Sequence, residues 1–135
     1  HALNFLSEKG INCDLIDLRT VKPIDWDAIY TSVKRTGKLL VLDTGFEFCS
    51  IASEIIAKVS MDCFADLTRP PKRVAVSDFS ILASPSLANP SYTYADDIAR
   101  AVCDLLGQTV DITPLQQGRD QFPRDVPGQW FSGPF

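Results

Sequence analysis

Histidine is almost missing from this sequence: the only one is His1, the first residue. A serine or cysteine nucleophile needs an internal base held in place by a third group. A lone histidine at the first position fills that role poorly, so self-contained triad chemistry is set aside. Close cysteine pairs are missing as well. Cys13, Cys49, Cys63 and Cys103 never fall in CxxC spacing, and a zinc site needs close ligand pairs or histidine. Three of the four lie in apolar-patterned segments, so the cysteines read as buried free thiols of a cytoplasmic protein. No apolar run approaches the roughly 20 residues that cross a bilayer, and the first residues lack a secretory leader pattern. Positive charge is scarce too. The formal net charge is -4, and the basic clusters Lys34-Arg35 and Arg69 to Arg73 are short. Nucleic acid is therefore a poor partner, because phosphate neutralisation needs clustered Lys and Arg. Lys34-Arg-Thr-Gly-Lys38 lacks the GxxxxGK[ST] spacing of a phosphate-cradling loop.

What is present suits one globular domain. The chain has 135 residues, of which 45% are hydrophobic and 22% charged, enough for a real core. Residues 2–9 read as the end of a helix, with Gly10 at its cap. Ile11 to Leu18 follows as a nearly continuous apolar strand. Asp25 can cap a helix from Trp26 to Thr36 with Ile29, Tyr30 and Val33 inward, ended by Gly37. Lys38 to Asp43 reads as a second strand. Phe48, Ile51, Ala52, Ile55, Ile56, Val59 and Cys63 then recur at helical spacing. Arg73 to Ser77 is a third strand, and residues 79–93 a polar loop. Thr93 and Asp96 form a capping box for a last helix with Ile98, Ala101, Val102, Leu105 and Leu106 inward. Asp96-Asp97 reads as the acidic first turn favoured by the helix dipole. Residues 108–135, rich in Pro and Gly, read as an extended tail. Alternating strands and helices imply a three-layer αβα arrangement with a mostly parallel sheet. Three strands are few for such a sheet, since ordinary sheets have about 5, so further strands are expected before His1.

Several of these segments resemble one family. Ile16-Asp-Leu-Arg-Thr-Val-Lys-Pro-Ile-Asp25 is similar to the IDLRTIxPxD signature of the transketolase C-terminal domain, in the form found in 2-oxo acid dehydrogenase (E1) β subunits. Ser32-Val-Lys-Arg-Thr-Gly-Lys-Leu-Leu-Val-Leu-Asp43 resembles that family's SVxKTGRLLVV segment. Glu54, within Ala52-Ser-Glu-Ile-Ile-Ala57, matches its AEIAA helix. Arg73 to Asp78 and Tyr94 to Val102 resemble its RVxxxD strand and closing helix. The likeness covers about residues 2–107 and departs at Phe46-Glu-Phe-Cys-Ser50, where many members carry a glycine-rich run. It implies a domain over residues 1–107, truncated at its N-terminal side by one edge and one central strand, with residues 108–135 as a tail.

The resemblance also implies the role. The enzyme would decarboxylate a 2-oxo acid with thiamine diphosphate and Mg, and this domain would serve assembly and active-site closure while binding no cofactor. Its partners would be the α subunit or a preceding thiamine-binding domain, a second β subunit and a lipoyl carrier (E2). Arg19, Asp43 and Asp78 follow the three strands, at the edge where open α/β sheets bind, and are interface candidates. A capped helix and plain loops explain them equally simply. Phe122, Trp130 and Phe131 are candidates in the tail, because large rings in a stiff segment anchor in grooves. No catalytic, cofactor-binding or metal-ligating residue is assigned. A free-standing interaction module of the same fold is the alternative, and a flavodoxin-like nucleotide binder is disfavoured by the absent phosphate loop.

Overall fold

The computed structural model describes residues 1–120. Among these residues six α-helices and two short 3-10 turns accompany a short sheet. Helix α1 spans Ala2–Glu8 and α2 spans Trp26–Thr36. Strand β1 is Leu40–Phe46, α3 is Ile51–Asp62 and β2 is Lys72–Val76. Then come α4, Pro85–Ala88, α5, Ala95–Leu106, and α6, Thr113–Asp120. Among the described residues the sheet has two strands, β1 and β2, paired in parallel from Leu40↔Lys72 to Phe46↔Val76 with an irregularity after Leu42.

Two apolar clusters cover the two faces. On one side Leu6, Ile11, Ala99, Val102 and Cys103 are buried, with Leu40 packed against them. On the other, Ile29, Val33, Ile55, Val59 and Cys63 are buried, with Leu39 and Val41 against them. Helices α1 and α5 therefore form one layer and α2 and α3 the other. The period-2 alternation of strand side chains lets Leu39, Leu40 and Val41 serve both.

The helix ends follow their local chemistry. The Asp25 carboxylate accepts from the Ala28 amide at 3.1 Å, and Gly37 closes α2 in the left-handed conformation at φ 67°. Ser50 Oγ accepts from the Ser53 amide at 3.3 Å and starts α3. The expected box at Thr93 and Asp96 sits one residue on: the Asp97 carboxylate accepts from the Tyr94 amide at 3.0 Å. The buried face of α5 is correspondingly rotated to Ala99, Val102, Cys103 and Leu105. Residues 68 and 69 reach both layers. The Thr68 amide donates to Gly37 O at 2.8 Å, and a Cβ on Gly37 would meet Thr68 Cγ2 at 2.8 Å. A Cβ on Gly107, the left-handed cap of α5, would meet Arg69 Nη2 at 2.9 Å.

Four expectations need correction. Ile11 to Leu18 lies in no strand. A strand exists only through a ladder partner, and β1 pairs with β2 alone among the described residues. Ile11 is buried, but Leu15 is 72% exposed. Phe48 stands before α3 instead of on its inner stripe, and is also 72% exposed. Of the cysteines, Cys63 and Cys103 are buried whereas Cys13 and Cys49 are exposed. Within the segment expected to be extended, Thr113–Asp120 is helical. Leu6, fully buried where α1 meets α5, makes the layer contact testable. Leu6→Ala is expected to cost about 2–5 kcal/mol, read as a lower thermal midpoint of the full-length protein.

Candidate interface at the carboxyl ends of the strands

The three polar candidates near the strands do not converge. Arg19 turns back on its neighbour, donating from Nε to the Asp17 carboxylate at 2.5 Å, and both side chains are mostly exposed. Such a pair contributes little to stability. Asp43 holds the loop instead of facing outward: Oδ1 accepts from the Gly45 amide at 2.8 Å and Oδ2 from the Ala52 amide at 3.2 Å. Ala52 is in the first turn of α3, where free amides favour a carboxylate. Asp78 lies two residues past β2 and is exposed. Phe122, Trp130 and Phe131 lie outside the described residues.

What the structure does gather at this edge is apolar. Phe46, Phe48, Phe79, Ile81 and Leu82 are all exposed large hydrophobics. The Glu47 amide donates to Val76 O at 2.8 Å, which brings the ends of β1 and β2 together with Phe46 and Phe48 on one and Phe79 following the other. Arg73 fixes the β1–α3 loop, donating from Nη1 to Ser53 Oγ at 2.6 Å and from Nη2 to Glu47 Oε1 at 2.8 Å. Helical periodicity concealed these residues, because it placed Phe48 on a buried stripe. The departure from a glycine-rich run at Phe46 to Ser50 was the available signal.

Two hollows flank the irregular segment. A trough of about 330 Å³ runs between Leu18 and Val21 on one side and Val41 to Thr44 of β1 on the other, floored by Ile51, Ala52 and Ile55. A wider, open hollow of about 550 Å³ lies against α2 and is lined by Asp14, Asp25, Asp27 and Arg35 among others. It does not fit a diphosphate: three carboxylates face it, and its guanidinium is already paired with Asp14. Among the described residues no group of three His, Cys, Asp or Glu side chains could hold a metal, and no helix is long and apolar enough to cross a membrane.

The hollow's electrostatics set a pH response. Asp14 accepts from Ser32 Oγ at 2.7 Å and pairs with Arg35. The Ser32 hydrogen bond first, and then Arg35, hold its pKa below the ordinary value of 3.8. On α3, Asp62 is lowered likewise by the Tyr30 hydroxyl and then Lys58. A depressed carboxylate stabilises the fold above its unfolded pKa, and that contribution disappears as pH falls through the folded pKa. Asp14→Asn is thus expected to lower the thermal midpoint at neutral pH, with the difference shrinking as pH falls from about 4 and vanishing only below the lowered folded pKa. Parallel curves across that range would contradict it.

A short parallel sheet with helical layers on both faces and apolar strand ends defines an α/β domain of the αβα kind among the described residues. Residues 1–95 match the family model described as transketolase, C-terminal domain, and the chain belongs to that family. Its fold is the transketolase C-terminal fold. The chain is 36% identical over 103 residues to the acetoin:2,6-dichlorophenolindophenol oxidoreductase subunit beta of Bacillus subtilis, covering 76% of this chain and 30% of that protein. It is 38% identical over 101 residues to the pyruvate dehydrogenase E1 component subunit beta of Rickettsia bellii, covering 75% and 31%. To a mitochondrial pyruvate dehydrogenase E1 component subunit beta-1 of Oryza sativa it is 33% identical over 100 residues, covering 74% and 27%. The chain thus spans about a third of the length of the curated relatives it matches.

Proposed function

We propose that this chain forms the C-terminal domain of the β subunit of a 2-oxo acid dehydrogenase, where it serves subunit assembly and active-site closure. The observation that carries the reading is the family match over residues 1–95 together with relatives named as pyruvate dehydrogenase E1 β subunits. The apolar rim of Phe46, Phe48 and Phe79 supports it, since exposed rings at one edge favour contact over solvent. Thiamine diphosphate and Mg bind elsewhere in the enzyme, and the cofactor supplies the carbanion chemistry. The partners are the α subunit or a preceding thiamine-binding domain, a second β subunit, and the lipoyl carrier that receives the acyl group. The protein works in the cytoplasm.

The trough beside β1 belongs to the same reading. None of the amides from Asn12 to Leu18 has a backbone partner among the described residues, and the trough separates that segment from β1. A further strand seated there, from elsewhere in the polypeptide or from another chain, completes the sheet and pairs both edges. Dilute samples of these 135 residues alone are expected to show a far-ultraviolet spectrum short of a folded αβα domain. A well-folded monomer would contradict this part of the proposal.

The interface is tested in the full-length protein purified with its α partner. Phe48→Asp and Phe79→Asp are each expected to weaken the complex by about tenfold or more, with loss of thiamine-dependent 2-oxo acid decarboxylation in parallel. Unchanged complex mass and activity in both variants would sink the assembly role.

A further inference from the structure

The family match ends at residue 95, just before a charge buried in α5. Asp96 is 1% exposed, and its partner comes from α6. Arg119 Nη1 lies 3.1 Å from Asp96 Oδ1 and 2.9 Å from Oδ2, and the guanidinium sits over the Tyr94 ring at 5.6 Å. Arg100, one turn along α5, approaches only to 3.8 Å.

Helix α6 is weak by itself. It has eight residues, Thr-Pro-Leu-Gln-Gln-Gly-Arg-Asp, shorter than an isolated helix needs in water, and Gly118 in its body lowers its propensity further. Its inner stripe is Ile112, Leu115, Gln116 and Arg119, half-buried at helical spacing, while Thr113, Pro114, Gln117 and Gly118 are exposed. Val110, Ile112 and Leu115 rest on the cluster around Val102 and Cys103. Among the described residues the apolar anchor is thus small, and the stripe ends in an ion pair. For a buried pair, attraction and the desolvation of both charges nearly cancel, so the docked and undocked states lie close in free energy.

We propose that α6 is a latch whose folding and docking are one event, with the Asp96–Arg119 pair as its catch. When docked, the pair neutralises Asp96 and orders residues 113–120. When released, Asp96 returns to water, α6 unwinds, and the apolar seat on α5 is uncovered without disturbing α5 itself. This inference does not depend on the proposed enzyme assignment.

Hydrogen exchange read by mass spectrometry on the full-length protein tests it. In the unsubstituted protein the amides of 113–120 are expected to exchange much faster than those of 97–106, as separate cooperative units do. Asp96→Asn and Arg119→Gln are each expected to raise exchange at 113–120 severalfold, to the rate of an unstructured segment, with 97–106 unchanged. The double exchange Asp96→Arg with Arg119→Asp is expected to recover part of the protection. Arg119→Gln removes the partner from the half-buried side, so it remains informative if Asp96→Asn fails to fold. Exchange of α5 and α6 in step, or no change at 113–120 in Arg119→Gln, would overturn the proposal.

Discussion

Leu39, Leu40 and Val41 point alternately to opposite faces of the sheet, and this alternation joins two separate cores into one domain. A parallel strand is stable only when both faces are covered. Leu40 fills the side under α1 and α5, while Leu39 and Val41 fill the side under α2 and α3. A slip of one residue in β1 would exchange these contacts and empty both cores together. The connections are shaped by the same constraint: each strand must hand the chain to a helix that returns over a face.

Features decided by near neighbours were readable from the sequence. The Asp25 cap, the Gly37 stop and the whole of α2 depend on residues within a few positions of one another, and the helical spacing of Ile55, Val59 and Cys63 correctly marked the inner face of α3. Ile11 to Leu18 had strand character but became no strand, because pairing is a property of two segments and the second is not beside it. The importance of Asp96 was hidden for a similar reason. In sequence it is one of two acids in a first turn, and only Arg119, 23 positions away, reveals that it is buried and paired. Among the candidate contacts, Asp43 was expected just past a strand that ends at 43, but β1 runs on to Phe46, and its carboxylate serves the backbone of the next helix.

The rim at the strand ends therefore divides its labour. Its polar residues, Asp43, Glu47, Ser53 and Arg73, hold the loop in shape. Its apolar residues are left facing out. Charged groups in ordered networks give the rim rigidity, and exposed rings give it adhesiveness. The proposed assembly role rests on this distribution, since contact needs a stiff, apolar edge more than a reactive one.

At the opposite end of the sheet, Thr68 packs on the cap of α2 and Arg69 on the cap of α5. The two helices belong to different layers, yet adjacent residues touch both. For protein engineering this makes the layers coupled variables. A side chain added at Gly37 or at Gly107 would press on this one dipeptide from opposite layers, and the peptide bond carries a shift at one contact to the other. Redesign of either helix cap therefore involves that dipeptide.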